Sequence, residues 1–515
     1  MNHYSSDTLP NEIVRQYSSL IQTENHFAFR DLNKNGRLDI YEDPRQPIEA
    51  RVHDLLSQMT LAEKAGMMFI NGAAVNADGS LDEQPNPDSF AFARSAKAQL
   101  VEQKMTHFNL WQIPGAQSLA VWHNNLQRLA EKSRLGIPVT LASDPRNHFS
   151  NSVFAMAALE FSQWCETLGF GAIGDAELVS QFADIVRQEY LAVGIRVALH
   201  PQIDLATEPR WPRISGCFSE DAELTAVLAA AYIQGLQGEQ LGPHSVACMT
   251  KHFPGGGPQR EGLDPHFEFQ KGQVYPGNNF DYHLIPFEAA LAAGTASIMP
   301  YYGVPTDQTE ENVAMSFNKA IITGLLRERY GYDGVVCTDW GLITDLVGGD
   351  FVWPARAWGV EHLTEAERVK KAIDAGVDQF GGESRPELVV RLVEDGQITE
   401  ARIDESVRRL LRQKFQLGLF DNPFIDIKQV PQVLGRADFL AAADLSQRRA
   451  MTLLENKDDL LPLSGQPKLF VQNMDPAVVA QFGTVVASPD EADLAILRLE
   501  TPWYPVDTPN RFAQG

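Results

Sequence analysis

Short apolar runs that end in polar residues alternate with longer amphipathic segments from about residue 138 onward. The longer segments repeat their apolar positions every three to four residues, which indicates helices. The apolar runs are PVTLASD (138–144), RVALHPQIDLA (196–206), SVACMTKHF (245–253), ASIMPYY (296–302) and GVVCTDW (334–340). The segments with helical periodicity are 176–195, 222–238, 318–332 and 365–376. Strand and helix in alternation predict an α/β fold of βαβ units around a parallel sheet.

Chemically reactive side chains stand at the carboxyl ends of the predicted strands. They are Asp144, Lys251, His252, Tyr302 and Asp339. A doubly wound sheet also fits the alternation of strands and helices. We prefer a TIM-type (β/α) barrel, because barrel active sites are built at this end of the strands.

Four parts are predicted along the chain. They are an N-terminal segment (1–50), the barrel (51–424), a linker with a helix at 443–456 (425–460), and the start of a second α/β domain of the sandwich type (461–515). An amphipathic stretch over 401–423 closes the barrel, because Asn422-Pro423 stops a helix. In the last part, 468–474 and 492–500 are predicted strands. This part is shorter than an ordinary α/β domain, so we expect it to be truncated.

The composition limits the partners. The 515 residues include 43 Lys and Arg against 67 Asp and Glu, a formal net charge of −24. This excess of acid argues against nucleic acids and anionic membranes, which attract clustered Lys and Arg. No apolar run is long enough for a membrane helix, and the N-terminus lacks the pattern of a signal peptide. A cytoplasmic location is expected, or a periplasmic or secreted one if a leader was removed. A homodimer is a possible oligomeric state.

Residues 31–42 match the twelve-residue EF-hand loop. The matching residues, in loop order, are Asp31, Asn33, Asn35, Gly36, Arg37 with its backbone carbonyl, Asp39 and Glu42. These positions would wrap oxygen ligands around a hard cation, although a solvated Asn/Gly turn shares part of the pattern. We expect a calcium site, and a single loop favours a structural role over a calcium switch.

Carboxylates, permanent cations and aromatic rings come together in the predicted barrel mouth. This mixture suits a sugar, because charged groups bind hydroxyls and an indole stacks on the apolar face of the ring. Cleavage of a glycoside needs two carboxyl groups. Asp339 is the best-placed nucleophile, and a cation such as Lys251 or Arg210 would keep it ionised. Taken alone, Asp339 could equally cap the next helix.

Five separated motifs resemble glycoside hydrolase family 3, in its β-glucosidase type, from about Arg51 to the C-terminus. They are LHPQIDLATEPRWPRISGCFSED (199–221), KHFPGGG (251–257), SIMPYY (297–302), GYDGVVCTDWG (331–341) and RIDESVRRLLRQKFQLGLFDNPF (402–424). The resemblance implies retaining hydrolysis through a covalent glycosyl-enzyme on Asp339. It implies no cofactor for catalysis.

The same resemblance implies a set of sugar-binding residues. They are Asp144, Arg210, Lys251, His252, Tyr302 and Trp340. Asp144 would hold distal hydroxyls, and Trp340 would form an aromatic wall. Arg213 matches the second Arg of the family's P-R-W-G-R element. Tyr301 could exchange roles with Tyr302, because adjacent strand residues face opposite sides.

Two candidates exist for the acid/base group. Relatives in the family take it from a Glu on a loop of the second domain, which implies Glu500 here. The alternative is Asp264-Pro-His266, on what we expect to be a mobile loop. It is similar to the Asp-x-His dyad of the β-N-acetylhexosaminidase branch, and a His can protonate a leaving oxygen near neutral pH.

The resulting hypothesis is a retaining, exo-acting β-glycosidase that hydrolyses terminal β-D-glucosyl residues of oligosaccharides or glycosides. A β-N-acetylhexosaminidase or a glycoside phosphorylase of the same family is the enzymatic alternative. An alternative from another class is a non-catalytic carbohydrate-binding protein, which would keep the pocket but lack a competent acid.

Overall fold

The structure, a computed structural model, describes residues 11–24, 26–81, 93–149, 160–348 and 351–502. The chain divides into two compact units, with the boundary between Ala450 and Met451. Each unit is described by itself.

Eight parallel strands form a closed barrel in the first unit, which confirms the predicted fold. They are β1 (Phe69–Ala73), β2 (His107–Leu110), β3 (Thr140–Ser143), β4 (Ile195–Ala198), β5 (Ala247–Phe253), β6 (Ser297–Pro300), β7 (Val335–Trp340) and β8 (Gln379–Gly381). Each strand pairs with the next, and β8 pairs with β1 through Phe380 opposite Phe69, which closes the barrel. All eight strands are buried along their length, as expected of parallel strands covered on both faces.

Helices follow the barrel strands. The α-helices of the first unit are Glu12–Tyr17, Ile48–Gln58, Leu61–Met67, Ala96–Val101, Ala116–Glu131, Thr167–Ile173, Ala176–Val193, Ala222–Gln237, Ile285–Ala292, Glu365–Ala375, Pro386–Glu394, Glu400–Gln416, Val430–Val433 and Ala437–Arg449, with a π-helix at Ala320–Arg329. Asp175, Asp221 and Thr364 begin three of them, each accepting a hydrogen bond from a backbone N–H of the first turn. Among the described residues, no helix is long and apolar enough to cross a membrane.

Short strands outside the barrel form small sheets. They are the antiparallel pairs Ile21–Glu24 with Phe27–Arg30 and Leu346–Gly348 with Phe351–Trp353, the parallel pair Gly272–Gln273 with Val304–Pro305, and Ala93–Arg94 on the edge of β1. The paired strands Leu346–Gly348 and Phe351–Trp353 come soon after β7 in the chain, past the end of that strand.

Three predicted boundaries are wrong by several residues. The run 196–206 forms a strand only to Ala198, because Pro201 lacks the N–H that a strand ladder needs. The helix predicted over 401–423 ends at Gln416, where Gly418 takes a φ of 69° and turns the chain. The helix predicted at 443–456 spans Ala437–Arg449.

The second unit contains a three-stranded parallel sheet. Its order is Thr484–Val486, Lys468–Gln472 and Leu494–Leu497, with a short helix at Pro476–Val479. The first and last predicted strands of this part are present but shorter than expected, and the strand at 484–486 was not predicted.

Candidate active site

Asp339 is the penultimate residue of β7, and one of its carboxylate oxygens is fixed by a hydrogen bond while the other has none. The residue is 7% exposed. Its Oδ1 accepts a hydrogen bond from the backbone N–H of Trp340 at 2.8 Å. Its Oδ2 is buried and has no hydrogen-bond partner within the described ranges. A carboxylate that is held through one oxygen keeps the other available for attack on an electrophilic carbon.

His252 faces this bare oxygen from β5. Its Nε2 lies 3.8 Å from Asp339 Oδ2, too far for a hydrogen bond. Burial lowers the pKa of His252 well below its usual value, so the ring is neutral and the contact is not an ion pair. On its other side, Nδ1 donates to Asp204 Oδ2 at 2.7 Å.

Asp204 is a site residue that sequence analysis missed. It is fully buried and also accepts hydrogen bonds from the backbone N–H groups of Gly256 and His252. Burial raises the pKa of Asp204 to about 6. The only signal in the sequence is one acid within the apolar stretch IDLA. Its role as the group that orients His252 depends on the pairing of β4 with β5.

Lys251 and Asp144 form an ion pair at the barrel mouth. Lys251 Nζ lies 2.9 Å from Asp144 Oδ1, and the two side chains are 9% and 19% exposed. The strands β3 and β5 therefore bring together two residues that the sequence singled out. Their partial exposure leaves both able to bind hydroxyl groups at the mouth.

The two adjacent tyrosines have different partners. Tyr302 donates its hydroxyl to the carbonyl of Trp340 at 2.8 Å and accepts from the N–H of Trp340 at 2.9 Å. Tyr301 instead donates to Asp264 Oδ2 at 3.2 Å. Tyr302 therefore braces the strand end that carries Asp339, while Tyr301 supports the neighbouring loop.

Trp340 lies against the backbone of β8. A Cβ on Gly381 would come within 2.7 Å of the Trp340 ring, and one on Gly382 within 2.6 Å. Gly382 also has a φ of 69°, in the left-handed region. Both the lack of space for a Cβ and this backbone conformation therefore favour glycine at position 382. Two glycines therefore give the indole its place beside Asp339.

Asp264 and His266 form a buried dyad. His266 Nδ1 lies 2.5 Å from Asp264 Oδ1, and Trp211 Nε1 donates to Asp264 Oδ2 at 2.7 Å. Burial would raise the pKa of Asp264, but His266 and Arg213 hold it below its usual value. The residues are 1% and 6% exposed, so the expectation of a loose, mobile loop is not met. Packing of this segment against neighbouring aromatic rings is the reason.

The structure brings Arg213, and not Arg210, towards Asp339. The Arg210 side chain is 66% exposed and pairs with Glu208 at 2.7 Å. The Arg213 guanidinium lies 5.8 Å from the centre of the Tyr301 ring. Burial lowers the pKa of Arg213, but Tyr301, Asp264 and Asp339 outweigh it, and the pKa is raised. A tight turn through Trp211 separates the two arginines and points them to different sides.

Glu500 belongs to the second unit. It follows the strand Leu494–Leu497 and is exposed to solvent. The segment TPWYPVDTPN, which comes after it, lies mostly outside the described residues.

The N-terminal loop folds around its own carboxylates. Asp31 accepts hydrogen bonds from the N–H groups of Asn35 and Gly36, and Glu42 from that of Leu32. Asn33 and Asn35 donate their amides to Asp39 Oδ2, each at 2.6 Å. The carboxylate and amide oxygens of this loop are hard ligands of the kind that calcium prefers. Across the described ranges, however, no three His, Cys, Asp or Glu side chains form a metal-holding group. Calcium therefore stays a prediction.

A closed (β/α) barrel with a bare carboxylate, an ion-paired lysine, histidines and aromatic rings at the ends of its strands defines a barrel enzyme. Comparison with known proteins then identifies the family. The glycosyl hydrolase family 3 N-terminal domain matches residues 98–413. The chain belongs to glycosyl hydrolase family 3.

Two curated relatives cover most of the chain. A probable β-glucosidase C from Aspergillus flavus is 49% identical over 474 residues, which is 90% of this chain and 74% of that protein. A periplasmic β-glucosidase/β-xylosidase from Dickeya chrysanthemi is 42% identical over 502 residues, 93% of this chain and 76% of that protein.

Solved structures share the fold. A β-glucosidase from Erythrobacter marinus superimposes with a TM-score of 0.70 at 24% identity, over 84% of this chain and 54% of that one. An exo-1,3/1,4-β-glucanase from Pseudoalteromonas gives a TM-score of 0.69 at 20% identity, over 87% and 75%. This chain thus spans about half of the first of these structures and three quarters of the second.

Proposed function

We propose that this protein is a retaining, exo-acting β-glucosidase that hydrolyses terminal β-D-glucosyl residues. The observation that carries the proposal is Asp339, whose Oδ2 is bare and whose Oδ1 is fixed by the Trp340 N–H at 2.8 Å. The names of the Aspergillus and Dickeya relatives support glucosides as substrates. A non-catalytic sugar-binding protein would not need a buried carboxylate with one oxygen free.

Each residue of the site has a separate role in the two-step reaction. Asp339 Oδ2 attacks the anomeric carbon, and the bond from that carbon to the leaving oxygen breaks as an acid protonates it. Water then attacks the glycosyl-enzyme, gives its proton to the same group acting as base, and releases Asp339. The Lys251–Asp144 pair is suited to bind sugar hydroxyls, since an ammonium donates and a carboxylate accepts.

The first test compares substrates and product configuration. We expect turnover of 4-nitrophenyl β-glucoside, followed by proton NMR signals of β-glucose before mutarotation. The same assay uses the β-xyloside and the N-acetyl-β-glucosaminide, each with and without inorganic phosphate. Preference for the glucosaminide would support the hexosaminidase alternative, and glucosyl phosphate as product the phosphorylase alternative. An α-configured first product would contradict retention.

For the acid/base role we propose Glu500. The alternative dyad has a physical disadvantage, because burial lowers the pKa of His266 and its Nδ1 is already engaged by Asp264. A neutral histidine has no proton to give at Nε2 when Nδ1 carries the only one. An exposed carboxyl group on a separate unit has no such constraint.

We also propose that the 31–42 loop binds calcium. Saturating calcium is then expected to raise the melting temperature, because a ligand at one hundred times its Kd stabilises the folded state by about 2.7 kcal/mol. Differential scanning fluorimetry with calcium and with EDTA measures the shift. The Asp31→Asn/Asp39→Asn double variant should lose it. Asp78→Asn is the matched control, since Asp78 caps another exposed turn through Ser80. An equal shift in the double variant would contradict the site.

A further inference from the structure

Asp204 is a buried carboxylate whose hydrogen-bond partners in the described ranges are all N–H groups. The residue is 0% exposed and lies in the segment that follows β4. Its Oδ1 accepts from the backbone N–H groups of Gly256 and of His252, the latter at 3.3 Å. Its Oδ2 accepts from Nδ1 of His252 at 2.7 Å. One oxygen is therefore bound to the backbone and the other to the imidazole.

Backbone hydrogen bonds hold Asp204 in register beside His252. Lys251 donates its N–H to the carbonyl of Pro201 at 3.0 Å, and its own carbonyl accepts from the N–H of Ile203 at 2.7 Å. These two bonds continue the pairing of β4 with β5 past the end of β4. They fix the residue before Asp204 against the residue before His252, so the two side chains meet through the sheet.

Close packing opposes a change in this arrangement. A Cβ on Gly256 would come within 3.0 Å of both Asp204 Oδ1 and the Tyr301 ring. The ring of His252 packs against that of Tyr301 with centroids 4.5 Å apart. The glycine therefore lets a backbone N–H reach the carboxylate, and the imidazole has little room to turn over.

The hydrogen bond to Asp204 decides which nitrogen of His252 carries the proton. A neutral imidazole has one N–H. Burial lowers the pKa of His252 well below its usual value and so keeps the ring neutral. Because a carboxylate accepts and cannot donate, Nδ1 carries the hydrogen and Nε2 keeps a lone pair. No proton of His252 therefore lies between Nε2 and Asp339 Oδ2, which are 3.8 Å apart.

The other tautomer would place a hydrogen on Nε2, on the side of the nucleophile. A shortening of about 1 Å would then make an N–H···O hydrogen bond to Asp339 Oδ2, since such bonds span about 2.9 Å. That bond would occupy the oxygen that attacks the sugar, and it would have to break before attack. In the described ranges Oδ2 has no such partner.

We propose that Asp204 is a positioning residue that selects the Nδ1–H tautomer of His252 and thereby keeps Asp339 Oδ2 free of a hydrogen bond. The proposal rests on the proposed function of Asp339 as the nucleophile. Asp204 acts through His252 and does not itself contact the sugar.

Asp204→Asn tests the proposal with almost no change in shape. The side-chain oxygen of Asn can still accept from the N–H groups of Gly256 and His252, so its NH2 group replaces Oδ2 and donates to Nδ1. His252 must then carry its hydrogen on Nε2. We expect kcat for 4-nitrophenyl β-glucoside to fall about 10-fold to 100-fold, because attack first requires loss of a hydrogen bond to a charged oxygen.

Nitrogen-15 NMR of labelled histidine reads the tautomer directly. An unprotonated ring nitrogen resonates far from a protonated one, and couplings to the ring C–H protons tell Nε2 from Nδ1. The His252 signals are assigned as the difference from His252→Gln. Spectra are recorded at pH 8, because burial raises the pKa of Asp204 to about 6 and its carboxyl group is ionised there. We expect the unprotonated nitrogen to be Nε2 in the wild type and Nδ1 in Asp204→Asn.

Glu189→Gln is the matched control. Glu189 is another fully buried carboxyl group, and it accepts from the N–H and hydroxyl of Ser162 and from the amide of Asn147. Both variants exchange a buried carboxyl group for an amide, so both should lower the melting temperature. Only Asp204→Asn should change the tautomer of His252 and kcat.

The wild-type spectrum alone can refute the proposal, even if Asp204→Asn fails to fold. A hydrogen on Nε2 of His252 in the wild type would overturn it. So would a tautomer that stays the same in Asp204→Asn, or a tautomer that changes while kcat stays at the wild-type level.

The NMR readout needs no turnover, so this proposal and the proposed function fail separately. If the wild type hydrolyses no glycoside but the tautomer still changes in Asp204→Asn, the proposed function fails and the selection of the tautomer by Asp204 stands. If the wild type hydrolyses glucosides and the tautomer does not change, only the role of Asp204 fails.

Discussion

Replacement of Asp339 by glycine is expected to lower kcat for 4-nitrophenyl β-glucoside by about 10⁴-fold to 10⁶-fold, the range found when a covalent nucleophile is removed. The physical reason is that, among the residues that the structure describes, no second carboxylate oxygen without a hydrogen bond lies beside Asp339. In the described ranges Asp144 is paired with Lys251 and Asp264 with His266. Steady-state kinetics over a wide range of enzyme concentration measure the loss.

Azide distinguishes a missing nucleophile from a damaged fold. In Asp339→Gly the space of the carboxylate can admit azide, which attacks the same face of the sugar, and the product should be α-glucosyl azide. Asp333→Asn is the control, because Asp333 precedes the same strand and is exposed among Arg408, Arg409 and Arg412. It should stay near wild-type activity, since exposed ion pairs contribute little.

Trapping of the covalent glycosyl-enzyme tests directly whether Asp339 is the nucleophile. A 2-deoxy-2-fluoro-β-glucoside with a good leaving group should inactivate the wild type and label one peptide, which contains Asp339. A label on any other carboxylate, or an Asp339→Gly variant that keeps its rate, would refute the assignment.

Replacement of Glu500 by alanine is expected to give the second largest loss, and its size should depend on the leaving group. General acid catalysis contributes about 10²-fold to 10⁴-fold. Cellobiose, with a poor leaving group, should therefore lose this much, whereas glycosylation by 2,4-dinitrophenyl β-glucoside needs no proton and should be nearly unchanged. Pre-steady-state bursts of dinitrophenol measure the first step alone.

His266→Ala and Asp264→Asn serve as the rival variants. With Glu500 as the acid/base group, azide should rescue Glu500→Ala as β-glucosyl azide and leave both rival variants unaffected. If instead His266→Ala shows the leaving-group dependence and the rescue, the Asp264–His266 dyad is the acid. Its buried contacts with Trp211 and Tyr301 would then be its support.

Several site residues could be read from the sequence because chemistry and position coincide in them. Asp144, Lys251, His252, Tyr302 and Asp339 stand where predicted strands end, and closure of the barrel brings these ends to one mouth. That inference needs only the order of strands. The inference from strand order fails at turns, as Arg210 and Arg213 illustrate. The backbone changes direction within three residues there, and this turn decides which guanidinium points into the barrel mouth.

Other residues could not be found in this way. Asp204 orients His252 from the segment that follows β4, and Arg356 packs on the Gly341 backbone from the segment after a pair of strands that the sequence pattern does not predict. No local sequence pattern distinguishes either residue from other charged residues of the chain. Their environments arise from burial and from partners far away in sequence.

The sequence by itself determined the alternation of parallel strands and helices and the strand ends that carry the chemistry, because apolar runs and amphipathic segments are local features. Only the tertiary structure decided which side chains meet. Burial makes His252 neutral, leaves Asp339 Oδ2 bare and aligns Arg356 on Trp353. These properties depend on desolvation and on contacts between distant segments, which no local pattern encodes.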